Sequence, residues 1–399
     1  MRLRSSSPQL APDVLAAEAR DSFDRLAAVL GDQRFAGWDP YDALSSPLLR
    51  FLGRTASLRR VLIQSLKHSP VNLRPALGVP RQQHVKGLAL ACSAHARAAS
   101  WAGAPSHATA AMLAGEIAAR TLELRSGRAW GYDFDVQTRW GYYRRGEPNA
   151  VVTAFAATAL LDAEAVDAVE GARPLVDGAV AYAVERLFVP DGEHGYFAYF
   201  TGASTHIPNA SMLLAALVAR ATDARSPARD LAAQAVARTL ALQRADGSWT
   251  YGEGEALSWV DGYHTAYILD ALATWNALSA EPQTDVVRAL KRGLSFYVER
   301  LFDEDGAPRA TPQSRYPIDI HAAASAVGCL VELGAGDERA ARTADCVLAW
   351  TLRHMRRPDG RFAFQQGRVV RKSVPYVRWS DGHMLLALAR FVRAANLAR

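Results

Sequence analysis

Apolar residues recur along this chain at the three- and four-residue spacing of α-helices, in segments of about fifteen residues divided by polar turns. The spacing predicts an amphipathic helix over 13–30, with Asp13 able to cap its start, and a basic helix from Pro47 to about His68. Between them, residues 35–44 are too rich in turn formers and aromatics to be regular. Residues 69–80 contain Pro70, Pro75 and Pro80, so they read as an extended strap. From Lys86 the pattern turns regular. Helices are expected near 86–100 and 107–126, then in pairs near 149–164 and 175–188, 207–221 and 228–243, 262–278 and 284–302, and 319–334 and 338–355. A last helix is expected near 380–396.

The two members of each pair differ. First helices are rich in Ala and nearly uncharged, as in Ala154-Phe155-Ala156-Ala157, whereas second helices carry one charged face, as in Arg288, Lys291 and Arg292. A helix apolar all round is buried and one with a charged stripe meets water. First helices therefore form an inner ring and second helices an outer one. Asn149, Asn209, His264, His321 and His383 stand 60, 55, 57 and 62 residues apart, the period of repeated helical hairpins. The helix over 13–30 is left over and supplies a partner for the last one, making six pairs. The expected fold is all-α, an (α/α)6 toroid over 86–399 forming one domain, with residues 1–85 as an irregular N-terminal extension of helix, basic helix and strap packed on it. Asp-Gly turns at Asp191-Gly192, Asp246-Gly247, Asp305-Gly306 and Asp359-Gly360 stop the outer helices. Each is followed by a short strand-like piece, a polar cluster and the next inner helix. All clusters thus open on one mouth.

Composition narrows the classes. Half of the 399 residues are apolar, and no run approaches the roughly 20 residues that cross a bilayer. The start lacks the apolar stretch of a secretory signal, and Cys92, Cys329 and Cys346 lack metal-ligand pairing, so a reducing cytoplasm is expected. The net charge of +6 is N-terminal: residues 1–100 carry 14 Lys and Arg against 7 Asp and Glu. Arg50 to Lys86 holds eight basic residues and no acid, which favours an anionic partner or surface. Groove-reading motifs are missing, so no nucleic-acid partner is expected. No nucleotide fingerprint is present and Asp319-Ile320-His321 does not set two ligands on one helical face, so neither a cofactor nor a metal is expected.

The chemistry gathers before the inner helices. The candidate acid-base residues are His206, His264, His321 and His383 with Asp135, Asp261, Asp319 and Asp381. The candidate substrate-binding residues are Tyr132, Arg139, Trp140, Asn149, Asn209, Trp259, Tyr316, Tyr376, Arg378 and Trp379. Inner-helix N-termini converging on one funnel favour an anion. Flat rings stack on sugar faces, and His, Tyr or carboxylate groups move protons. The competing reading is structural, with the aspartates as N-caps and single histidines as hydrogen-bonded core residues.

Two resemblances bear on this. Gln243-Arg244-Ala245-Asp246-Gly247-Ser248-Trp249 resembles the glutamine-tryptophan repeat of squalene cyclases and prenyltransferase-like toroids, although Asp133-Phe134-Asp135-Val136 lacks the last aspartate of the cyclase acid motif. Across nearly the whole chain, Asn72-Leu73-Arg74-Pro75, Gln137-Thr138-Arg139-Trp140-Gly141, His206-Ile207-Pro208-Asn209-Ala210 and Tyr316-Pro317-Ile318-Asp319-Ile320-His321 resemble toroid proteins of bacterial capsule and exopolysaccharide clusters. That resemblance implies a role in surface-polysaccharide assembly, with polysaccharide assembly proteins as partners. The mouth is similar in kind to toroids that act on uronic acids, epimerases and polysaccharide lyases. The expectation is a carbohydrate-active enzyme on an anionic glycan, epimerase or lyase like, with glycoside hydrolysis as a variant. The alternatives are a non-catalytic glycan-binding scaffold and a terpenoid-cyclase-like enzyme.

Overall fold

The computed structural model describes residues 11–138 and 141–397. Those residues form fourteen α-helices: α1 (Pro12–Asp32), α2 (Pro47–Leu52), α3 (Ala56–His68), α4 (Val85–Ala102), α5 (Ala104–Ala118), α6 (Ala150–Glu164), α7 (Arg173–Tyr182), α8 (Pro208–Ala221), α9 (Pro227–Ala241), α10 (Gly262–Ala277), α11 (Thr284–Arg300), α12 (Ile320–Gly334), α13 (Glu338–His354) and α14 (Gly382–Leu397). Helices α4, α6, α8, α10, α12 and α14 each pack on the next, and α14 returns to α4, which closes an inner ring. Outside them, α5, α7, α9, α11 and α13 each pack on the inner helix before them in the chain, and α1 packs on α14. The molecule is an (α/α)6 toroid.

Alanine makes the ring possible. On α12 the run Ile320 to Ala324 and then Ala326 to Leu330 is buried, and on α6 the same holds for Ala150 to Ala154 and Ala159 to Ala163. Small side chains let each inner helix touch two inner neighbours and one outer helix at once. One continuous apolar cluster runs from Leu15 on α1 to Val392 on α14. Each outer helix buries a single stripe, such as Val286, Ala289, Leu294 and Tyr297 on α11.

Short antiparallel pairs decorate the rim: β1 (Leu122–Leu124) with β2 (Gly127–Ala129), β3 (Val136–Gln137) with β4 (Tyr142–Tyr143), β5 (Phe188–Asp191) with β6 (His194–Phe197), and β7 (Ile318–Asp319) with β8 (Gln365–Gln366), which also pairs with β9 (Arg371–Lys372). They account for two differences from the expected helices. The one expected over 107–126 ends at Ala118, because Leu122 to Leu124 turn back through residues 125–126 onto Gly127 to Ala129. The one expected over 175–188 gives up Phe188 to the β5–β6 pair, where it faces Phe197.

The basic helix expected over 47–68 is two helices. Gly53 ends α2, and the Thr55 hydroxyl accepts the Leu58 N–H to start α3 afresh. With the strap, these helices enclose a small core of their own around Ala43, Leu44, Leu49, Ile63, Leu66 and Val79. Trp38 and Tyr41 pack against this core and the main one, joining the two.

Candidate active site

Loops preceding the inner helices and the first turns of those helices enclose a cavity of about 550 Å³. Its wall takes Lys86 from α4, Asn209 from α8, Tyr263, His264 and Tyr267 from α10, and His321 from α12. Arg378 and Trp379 come from the turn before α14, and Tyr41 from the extension. Further rings, Tyr132, Phe134, Tyr143, Tyr199, Phe200, Tyr251 and Trp259, stand on the intervening loops. Trp259 stacks on Tyr251 with centroids 4.4 Å apart, and the Tyr132 and Tyr199 hydroxyls are 2.7 Å apart.

Two acid-base pairs stand on adjacent inner helices. His264 Nδ1 lies 2.7 Å from Asp261 Oδ2, which also accepts the Trp259 indole N–H at 3.1 Å. Asp261 Oδ1 accepts the His264 backbone N–H, capping α10. A carboxylate on Nδ1 leaves the lone pair on Nε2, the form a general base needs. On α12, His321 Nε2 lies 2.5 Å from the Tyr267 hydroxyl. The His321 ring stacks on Tyr263 on one side, at 4.6 Å, and on His383 on the other, at 3.8 Å. Burial, then His383 and Lys86, drive His321 well below the ordinary histidine pKa, so it is neutral. His383 Nε2 is 3.4 Å from the same Tyr267 hydroxyl, and burial lowers its pKa as well.

Lys86 is the amine of the cavity wall. It is buried, its Nζ lies 4.3 Å from the centre of the Phe155 ring, and it pairs with no carboxylate among the described residues. Burial, then Arg378, lowers its pKa well below that of a free lysine. An anion beside this amine would favour its charged form.

The other sequence-derived candidates fall into clear groups. Arg378 lines the cavity, but its guanidinium is held by Asp39 in a two-pronged pair at 2.6 and 2.8 Å. Burial acts to raise the Asp39 pKa, yet Arg378 outweighs it and holds the carboxyl low. Arg378 is therefore already neutralised and is not the free anion holder that its sequence position implied. Asp319 caps α12 and accepts Trp379 Nε1 and Gln365 Nε2 at 2.9 and 2.8 Å, so both of its oxygens are hydrogen-bonded. Asp381 is buried off the cavity against Arg361 and the Phe362 N–H. Asp135 accepts the Arg145 N–H and is not on the wall.

Asn149, fully buried, caps α6 through the Val152 N–H. Tyr376 lies in the core, its hydroxyl accepting from Arg74 at 2.9 Å, and Tyr316 is on the outer surface beside Arg315. His206 is buried under Tyr196, with Nδ1 3.5 Å from Glu253, and burial lowers its pKa to about 3. His264, His321, Tyr132, Asn209, Trp259, Arg378 and Trp379 come together on the wall, and His383 lies directly behind His321. Arg139 and Trp140 lie outside the described residues.

The sequence reading passed over Tyr267 and undervalued Lys86. Tyr267 follows His264 by three positions and so shares its helical face. Lys86 is the one charge in the first turns of α4, whose other charge, Arg97, is paired with Asp162. The cavity wall carries no Asp or Glu among the described residues, so the aspartates act through the histidines and indoles they hold. Tyr267 and His383 also border a second pocket of about 100 Å³, whose wall carries the ion pairs of Asp162 with Arg97 and of Asp270 with Arg390.

No family model and no curated protein matches the chain. Solved structures share the fold. The chain is similar to cellobiose 2-epimerase from Spirochaeta thermophila DSM 6192, with TM-score 0.61 and 14% identity over 79% of this chain and 87% of that one. It is similar to the GH76 α-mannanase BT2949 from Bacteroides thetaiotaomicron, with TM-score 0.60 and 14% identity over 81% and 89%. It is also similar to an unsaturated glucuronyl hydrolase specific for heparin, with TM-score 0.61 and 11% identity over 96% and 97%. At these identities the likeness is one of fold.

Proposed function

We propose that this chain is a carbohydrate-active enzyme that moves a proton on an anionic, uronic-acid-type sugar, by epimerase- or lyase-like chemistry, in the assembly of a surface polysaccharide. The observation that carries the reading is the pairing of two hydrogen-bonded acid-base sets, Asp261–His264 and Tyr267–His321, with the unpaired Lys86 in one aromatic-walled cavity. Aromatic walls suit pyranose faces. Lys86 and the inner-helix N-termini suit a carboxylate, whose neighbouring proton becomes acidic once that negative charge is stabilised. In this reading His264 Nε2 takes the proton. The Tyr267 hydroxyl, poised on His321, returns one to the opposite face in an epimerase, or protonates the departing sugar oxygen in a lyase.

Hydrolysis by a carboxylate pair needs two acids about 5–10 Å apart across the bound sugar. Among the described residues the wall carries no such pair, which favours proton transfer over the hydrolase variant. The solved structures of similar fold, whose names place them on sugars, support the substrate class by analogy. The motif resemblance supports the polysaccharide-assembly setting. Incubation with uronic-acid polymers in heavy water tests the reading. Deuterium gained without chain cleavage marks an epimerase, and new unsaturated ends mark a lyase. Glycan binding with neither product assigns a non-catalytic scaffold and overturns the enzyme reading.

A further inference from the structure

We infer that the α2–α3 hairpin and the β8–β9 tip form a docking face for a bilayer rich in anionic phospholipid. Large apolar side chains stand in the open on these elements. On α2, Leu48, Phe51 and Leu52 follow the three- and four-residue spacing of one helical face, and Phe51 is 63% exposed. On α3, Leu58 and Val61 are on the outer side while Ile63 and Leu66 point into the small core. At the β8–β9 tip, Val369 is 90% exposed and Val370 is beside it. Lys372 Nζ, 2.9 Å from His68 Nδ1, fixes that hairpin to the end of α3.

Charge supplies the second observation. Arg50, Arg54 and Arg60 are exposed among these apolar residues, and Arg54 lies 4.6 Å over the Phe51 ring. No acidic residue occurs between Asp42 and Glu116, so the face carries one sign only. The apolar core of a protein–protein interface is depleted of charge. Here an arginine interrupts the apolar residues at nearly every turn, the pattern of a segment lying in the headgroup layer, with rings and aliphatic chains inserted and guanidinium groups on phosphates. No helix among the described residues is long and apolar enough to cross a membrane, so the association is interfacial. The face borders the cavity: Arg59 on α3 donates to Gln137 at 2.9 Å and lies 4.5 Å from the Tyr142 ring, on the β3–β4 pair whose Val136 and Tyr143 line the cavity. Docking would bring the cavity mouth near glycans carried on lipid.

Co-sedimentation of the full chain with vesicles tests this, using phosphatidylcholine alone or mixed with phosphatidylglycerol. The chain is expected to pellet with the anionic vesicles only, and to be released as salt rises from about 0.1 to about 0.5 M, where the Debye length roughly halves. Phe51→Glu with Val61→Glu lowers binding at least tenfold. Met112→Glu, at an exposed apolar residue on α5, leaves it unchanged. Both variants change exposed side chains, and unchanged melting temperatures confirm that they fold. Binding to neither vesicle overturns the proposal, as does equal binding to both, or binding that survives the Phe51 and Val61 changes. A chain that stays in solution but sediments as a dimer assigns the face to a second copy and likewise overturns it.

Discussion

His264 and Asp381 illustrate two fates of the same repeated cluster. His264 is held by Asp261 with its second nitrogen toward the cavity, whereas Asp381 spends its carboxylate on Arg361 and a backbone N–H inside the core. The two predict opposite outcomes. His264→Gln and Tyr267→Phe are expected to lower turnover by about 100-fold or more, the usual contribution of a placed acid or base, with melting temperatures nearly unchanged. Asp381→Asn removes the partner of buried Arg361 and is expected to cost about 3–5 kcal/mol of stability, while folded molecules keep their turnover. Urea denaturation beside initial rates separates the two classes. A His264 variant that unfolds would return that residue to a structural role.

Among the elements, the outer-helix turns do more than stop helices. Gly306 has φ +86°, and a Cβ there would lie 2.3 Å from the Cys346 carbonyl oxygen, so the turn after α11 is pressed against the backbone of α13. Gly192, with φ +61°, has open space around its missing Cβ. Gly192→Ala is therefore expected to cost only the left-handed strain of about 1–2 kcal/mol. Gly306→Ala should add an overpacking cost of about 1–3 kcal/mol more. Equal losses for both in chemical denaturation would show that the turn is not a contact between neighbouring repeats. The same packing recurs at Gly247, where a Cβ would lie 2.4 Å from the Arg292 carbonyl oxygen on α11, whereas Asp191-Gly192, expected to stop an outer helix, is the tip of the β5–β6 hairpin.

At the scale of the whole molecule, a neutral, buried histidine set makes the toroid acid-sensitive. Burial lowers His206 to about 3, and His84 and His95 each to about 4, from an ordinary 6.5. Below about 6.5 the unfolded chain takes up these protons and the folded one does not, so stability is whole above that pH and falls as pH drops toward about 4. His321 and His383 act in the same sense. Burial raises Asp42 to about 7, against the pull of Arg74, and Asp133 to about 6, and it moves Asp24, Asp319, Asp345 and Asp381 upward too, so these six carboxyls oppose the trend below about 7. With His68 and His354, also lowered by burial, seven histidines act against those six carboxyls, and His206, His84 and His95 stay neutral in the folded chain across pH 6.5 to 4.5. Melting temperature is expected to fall steadily from pH 6.5 to 4.5, and His206→Gln to flatten the slope by up to about 1.4 kcal/mol per pH unit. A profile level across that range would contradict the burial assigned to these rings.

The chain by itself determined the ring. Alternating uncharged and one-faced helices, repeated at a steady period, have one economical way to bury their apolar surface, and that arrangement also sets all the polar clusters at one mouth. Local periodicity encodes this because it depends on neighbours three and four residues away. Tertiary structure alone decided which clusters face the cavity. Asp261, Asp319 and Asp381 are nearly equivalent by sequence, but their partners Trp259, Gln365 with Trp379, and Arg361 come from different loops. Likewise, Arg378 looks free until the closed ring brings Asp39 to it from 339 residues away. A repeat makes its members alike, and only the long-range contacts that break its symmetry single out His264, His321, Tyr267 and Lys86.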